Sequence, residues 1–126
     1  MNTTNILGLR TAIYKVGNID NAKDWYSKAF GVVPYFDEPF YVGFNIGGYE
    51  LGLQPEEQTN IKKGDNVLSY WGVNDVEEAF NHFIKLGAVE HEKPQNVGDE
   101  IMVATVKDPW LNIIGFIYNP EFKLST

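Results

Sequence analysis

Val42-Gly43-Phe44-Asn45-Ile46-Gly47-Gly48-Tyr49-Glu50-Leu51-Gly52-Leu53-Gln54-Pro55 alternates apolar residues with small or polar ones on both sides of a double glycine. Alternation of period two is the pattern of a half-buried strand, and two glycines between such runs mark a hairpin turn of the primed type, because glycine takes positive φ without steric penalty. The turn sets the register: Ile46 faces Tyr49, Asn45 faces Glu50, Phe44 faces Leu51 and Gly43 faces Gly52. One face of the hairpin then carries Val42, Phe44, Ile46, Tyr49, Leu51 and Leu53. The other carries Tyr41, Gly43, Asn45, Glu50, Gly52 and Gln54.

The end of this hairpin, Glu50 to Pro55, returns as Gly115-Phe116-Ile117-Tyr118-Asn119-Pro120, 65 positions on. Upstream, Val16, Trp25-Tyr26 and Gly31 return as Val73, Phe83 and Gly87, at offsets of 57 for the valines and 56 for the glycines. Two copies are too few for a stacked array, so the repeat reads as two half-domains of a single domain: 7–55, a polar linker 56–65, and 66–120.

In each half the hydrophobic period switches between two and about 3.6 residues in the same order. Leu9 to Val16 reads as a strand. From Asp20, Ala22, Trp25, Tyr26 and Ala29 fall at helical spacing, with Asn18 or Asp20 as the N-cap and Gly31 as the left-handed stop. Strands are expected at Val32–Phe36, Phe40–Ile46 and Tyr49–Gln54. The second half gives a strand at Val67–Val73, a helix at Asp75–Leu86 with Val76, Ala79, Phe80 and Phe83 as its apolar stripe, and strands at Ala88–His91, Ile101–Lys107 and Ile113–Tyr118. The expected class is α+β: two βαβββ half-domains whose strands form a curved mixed sheet around a cleft, with the helices on the outer face.

Composition bounds the function. The chain has 126 residues and no cysteine, which removes disulfides, thiolate metal sites and thiol nucleophiles together. A formal charge of -7 works against binding a phosphate backbone, so no nucleic-acid partner is expected. No apolar run approaches membrane-spanning length, and Met1 to Asn5 lacks the charge and apolar core of a signal peptide. A cytoplasmic protein without a membrane partner is expected.

The motifs Val16-Gly17-Asn18, Trp25-Tyr26-Ser27-Lys28-Ala29-Phe30-Gly31, Glu50-Leu51-Gly52-Leu53 and Asp108-Pro109-Trp110-Leu111-Asn112-Ile113-Ile114 resemble, in order and in doubling, those of the vicinal oxygen chelate superfamily. That superfamily includes glyoxalase I, extradiol dioxygenases and bleomycin-resistance proteins, and the resemblance runs from about Leu7 to Pro120. It implies a divalent metal held by the first and last strands of each half. The matching positions are Thr11 and Glu50 in the first half and Leu68 and Gly115 in the second. A catalytic divalent site needs about three protein ligands and an open position. Of the four residues only Glu50 binds a cation well, so no metal and no cofactor is expected. His82, on the second helix, and His91, in a charged strand, are expected to face solvent.

The alternation that turns Ala12, Tyr14, Val16, Leu51, Leu53, Trp71, Val73, Ile114 and Phe116 toward the helices sends Thr11, Ile13, Tyr41, Asn45, Glu50, Gln54, Leu68, Tyr70 and Asn119 to the opposite side. These nine are the candidate ligand-binding residues, with Gly43, Gly52, Gly72 and Gly115 leaving room. Alternatively those glycines only permit curvature. In an enclosed cleft Glu50 is expected to have a raised pKa, and it is a catalytic candidate only if the protein is an enzyme.

Two functions stand open. One is a metal-independent protein resembling the bleomycin-resistance branch, binding a small molecule, in the simplest case cationic and aromatic, by stacking on Tyr41 or Tyr70 and pairing with Glu50. The other is a glyoxalase-related lyase or isomerase using Glu50, with or without a metal. The resemblance also implies a homodimer. In the closing motif Leu111 stands where the family usually has glycine, which questions the turn, and Trp110-Leu111 forms either a covered apolar patch or part of the core.

Overall fold

The computed structural model describes residues 5–57 and 62–122; positions 58–61 of the expected linker lie outside the described residues. The chain divides into two compact units, Met1–Glu57 and Gln58–Thr126. Among the described residues no helix is long and apolar enough to cross a membrane.

The first unit runs β1 (Thr11–Val16), α1 (Ile19–Phe30), β2 (Phe36–Glu38), β3 (Tyr41–Ile46) and β4 (Tyr49–Pro55). Its four strands form one sheet in the order β1-β4-β3-β2, with β1 parallel to β4 and the other pairs antiparallel. The Asn18 side chain caps α1 by accepting from Asn21 N at 2.9 Å, and Gly31, at φ 69°, ends it in the left-handed conformation. Ala22, Tyr26 and Ala29 of α1 are buried, as are Val16, Val42, Phe44, Leu51 and Leu53 of the sheet. Full burial of each large aliphatic or aromatic side chain contributes about 1.5–3 kcal/mol, so this face dominates the unit's stability. Gly47 and Gly48 both have positive φ, as a primed hairpin turn requires, and the β3–β4 register is the one the sequence implies.

The second unit repeats the plan with β5 (Tyr70–Gly72), α2 (Val76–Lys85), β6 (Val89–Gly98), β7 (Ile101–Lys107) and β8 (Ile113–Tyr118). The strand order is β5-β8-β7-β6, again with the first pair parallel. Asp75 caps α2 by accepting from Glu78 N at 3.0 Å. Val76, Phe80 and Phe83 are buried, and Phe83 meets Phe116 of β8 edge-on at 4.7 Å between ring centroids.

The class is α+β as expected, each βαβββ unit carrying its own four-stranded mixed sheet. Several expectations need correction. No strand forms over Val32–Tyr35, where Pro34 lacks an N–H; pairing begins at Phe36. Strand β5 begins at Tyr70 rather than Val67. Strand β6 continues far past His91, through Pro94, because it is an edge strand whose irregular register between Glu90 and Gly98 absorbs the missing donor.

Candidate functional site

In the first unit the sheet face turned away from the α1-packed core is organised around Glu50. Parallel pairing of β1 with β4 sets Thr11 directly opposite it, and Thr11 Oγ1 donates to Glu50 Oε1 at 2.8 Å. The Tyr35 hydroxyl donates to Oε2, and the Tyr41 hydroxyl bonds to the same carboxylate.

Glycine makes this convergence possible. Gly43 and Gly52 face each other across β3 and β4, leaving a bare patch of backbone beside Glu50. A Cβ at Gly43 would lie 2.8 Å from Glu50 Oε2 and 2.9 Å from the Tyr35 ring, and one at Gly52 would lie 2.6 Å from Tyr41 Cζ. The room left by these two glycines is therefore filled by the unit's own tyrosines. Tyr35 is placed by its backbone, whose N–H donates to Gly43 O at 2.9 Å.

The electrostatics follow from the bonds. Chiefly the Tyr35 hydroxyl, with help from Thr11 and Tyr41, holds the Glu50 carboxyl below its ordinary range, against the upward push of burial. This corrects the expectation of a raised pKa: three O–H donors outweigh desolvation on a half-buried group. Burial first, then the bond to Glu50, pushes the Tyr41 hydroxyl up to about 12. Tyr35 is also raised, mainly by the same bond. Among the described residues no lysine or arginine pairs with Glu50.

Aromatic rings flank the carboxylate. Phe36 lies 6.5 Å from Tyr35, 6.0 Å from Phe40 and 6.1 Å from Tyr41 between ring centroids. Tyr35 and Phe40 are each 65 % exposed. Of the expected first-unit residues, the structure joins Thr11, Tyr41 and Glu50 in one hydrogen-bonded group. Ile13 is exposed and Gln54 half-buried on the same face. Asn45 is tied to the hairpin, its Oδ1 accepting from Gly48 N at 2.8 Å. Tyr35, Phe36 and Phe40 were not among the expected site residues; the aromatic pairs bracketing Asp37-Glu38-Pro39 were the available signal. An open hollow of about 650 Å³ at the C-terminal end of α1, lined by Ser27, Lys28, Val33 and the expected site residue Asn45 among others, contains neither Glu50 nor the tyrosines.

In the second unit, Gly115 pairs with Tyr70 of β5 and Thr105 of β7. The residue in Thr11's place is therefore Tyr70, not Leu68, which precedes the strand; backbone bonds Glu50 N to Arg10 O and Gly115 N to Ser69 O fix the equivalence. A Cβ at Gly115 would lie 2.7 Å from both the Tyr70 ring and Ser69 O. Leu68 and Asn119 are half-buried. His91 is half-buried against the sheet rather than facing solvent, its Nδ1 2.8 Å from Thr105 Oγ1, while that hydroxyl donates to Glu92 Oε1 at 3.2 Å.

The 108–112 turn keeps its geometry despite Leu111. Buried Asp108 accepts from Trp110 N and Asn112 N, both at 2.8 Å, and from Asn112 Nδ2 at 2.9 Å. Lys63 Nζ donates to Trp110 O at 2.8 Å. These bonds hold Leu111 at φ 70°, with its side chain 59 % exposed, while Trp110 is half-buried.

These residues do not suit a divalent metal. The first unit offers a neutral hydroxyl and a carboxylate already accepting three O–H bonds; the second offers a phenol and, at Gly115, no side chain. Among the described residues no three His, Asp or Glu side chains gather as a metal would need.

Solved structures share the fold. A glyoxalase-related enzyme from Fulvimarina pelagi superposes with a TM-score of 0.76 at 14% identity, covering 96% of this chain and 94% of that one. A glyoxalase/bleomycin resistance protein/dioxygenase family enzyme from Burkholderia phytofirmans PsJN gives 0.73 at 18% identity, covering 86% and 95%. A glyoxalase/bleomycin resistance protein from Albidiferax ferrireducens T118 gives 0.69 at 17% identity, covering 89% and 98%. No curated protein matches the chain. The family signature matches residues 8–116, and with the doubled βαβββ topology on the page the chain belongs to the Glyoxalase/Bleomycin resistance protein/Dioxygenase superfamily.

Proposed function

We propose that this protein binds a small organic cation without a metal, at the carboxylate of Glu50 and the aromatic side chains beside it. The observation that carries the reading is a carboxylate that no cationic side chain neutralises among the described residues, held by Thr11 and Tyr35 with Tyr41 beside it, and continued from Tyr35 into the aromatic row of Phe36 and Phe40. Negative charge beside exposed π-faces favours a cation with apolar surface.

Lyase or isomerase chemistry with Glu50 as base is the weaker reading. A carboxyl held below its ordinary range is a poorer proton acceptor, and three hydroxyls already occupy its oxygens. Among the described residues the groups around Glu50 are hydroxyls, which hold an enolate weakly.

A thermal-shift comparison of aromatic cations with their neutral analogues tests the proposal. The cations should raise the Tm of the wild type and not of Glu50→Gln. Equal shifts for cations and neutral analogues would contradict it. So would stoichiometric zinc, nickel or iron in protein purified without chelator and lost in Glu50→Gln.

A further inference from the structure

The hydrogen bonds already made by Glu50 say which kind of cation the site takes. An ionised carboxylate offers about four lone-pair sites. Thr11 occupies one on Oε1 and Tyr35 one on Oε2, and the Tyr41 hydroxyl, lying over Gly52 beside them, competes for a third. These bonds leave the negative charge in place but nearly exhaust its capacity to accept.

Charge and acceptor capacity are different demands for different cations. A primary ammonium brings three N–H donors and a guanidinium five, each losing a water when it docks. With about one carboxylate site left, most of those donors would meet only neutral hydroxyl oxygens, which make weaker bonds than an ionised acceptor. A donor left unmet carries a desolvation penalty. A quaternary ammonium has no N–H to satisfy, and needs only a negative field and π-faces. Tyr35, exposed and bonded to the carboxylate, supplies such a face, and Phe36 and Phe40, also exposed, extend the aromatic row from it.

We infer that the cationic centre recognised here carries no N–H donor, as in a quaternary ammonium or an N-alkylated heteroaromatic ring, and that primary amines and guanidinium groups are discriminated against. The inference rests on the cation-binding reading of Glu50 and narrows it to a ligand class.

Calorimetric titration of the full chain at neutral pH with benzyltrimethylammonium, benzylammonium and benzyl alcohol separates the two claims. The quaternary probe should bind on the order of tenfold tighter than the primary amine, the equivalent of one poorly met donor. Benzylammonium binding as tightly or more tightly would overturn the donor-free inference while leaving cation binding intact. If neither cation outbinds benzyl alcohol, the cation reading falls with it. Tyr35→Phe, verified as folded by circular dichroism, vacates one acceptor site on Oε2 and should narrow the gap by strengthening benzylammonium relative to the quaternary probe. An unchanged ratio in that variant would overturn the acceptor-counting argument.

Discussion

Thr11 and Glu50 occupy facing positions of a parallel strand pair, and the threonine hydroxyl donates to the glutamate carboxylate at 2.8 Å. The pairing that defines the sheet thus also sets one of the contacts that lower the Glu50 pKa. Thr11→Val removes that bond while retaining the β-branched shape. Its expected effects are a destabilisation of about 1 kcal/mol, read by urea denaturation, and a rise of the Glu50 pKa toward its ordinary value, read by carboxyl NMR titration.

Acid should act on stability through the same carboxylate. A carboxyl whose folded pKa lies below its unfolded value stabilises the fold fully above the unfolded value, and the contribution disappears as pH falls through the folded one. Glu50 is lowered in this way, so the wild type should lose stability relative to Glu50→Gln as pH drops from about 5 through the folded pKa. Denaturation midpoints of both proteins across that range provide the check; parallel curves would contradict it.

Alkali reports on Tyr41. Its raised pKa, about 12, means that the protonated hydroxyl stabilises the fold below the unfolded value near 10 and that this support is lost as pH rises toward the folded one. Gly52→Ala places a methyl against the Tyr41 ring and should displace its hydroxyl from Glu50. In a near-ultraviolet absorbance titration the Tyr41 step, assigned as the one missing in Tyr41→Phe, should then occur at lower pH. An unchanged titration in Gly52→Ala would show that the ring does not depend on the bare patch.

Leu111, like Asp99, is a non-glycine residue of the second unit at positive φ, and it lacks the short polar side chain that eases that conformation. A non-glycine residue in the left-handed region costs about 1–2 kcal/mol, partly offset on substitution by the greater unfolded-state freedom of glycine. Leu111→Gly should stabilise the protein by about 0.5–1 kcal/mol, and Leu111→Ala, which keeps the Cβ, should not. Thermal denaturation of the two variants distinguishes strain relief from removal of an exposed apolar side chain.

Much of this architecture was legible in the sequence. The double glycine fixed the β3–β4 register, Asn18 and Gly31 bounded α1, and the repeat implied two units of matching topology, because each of these signals is local. Glu50, Thr11 and Tyr41 followed from strand alternation alone. Tyr35 did not, since it lies in the irregular segment before β2 and reaches Glu50 only because two glycines from other strands leave room. Leu68 was misplaced because counting back from Val73 assumes equal spacing in both halves, whereas the β5–β8 pairing sets Tyr70 against Gly115. The pKa of Glu50 went the wrong way because burial was visible in the pattern and the Tyr35 hydroxyl, the chief cause of the lowering, was not.

The central claim is that Glu50 acts as a metal-free anion for an organic cation, and calorimetric titration with benzyltrimethylammonium before and after exhaustive chelation tests it most directly. Binding should be the same in both samples and lost in Glu50→Gln. Binding that disappears on chelation, or survives intact in Glu50→Gln, would contradict the account.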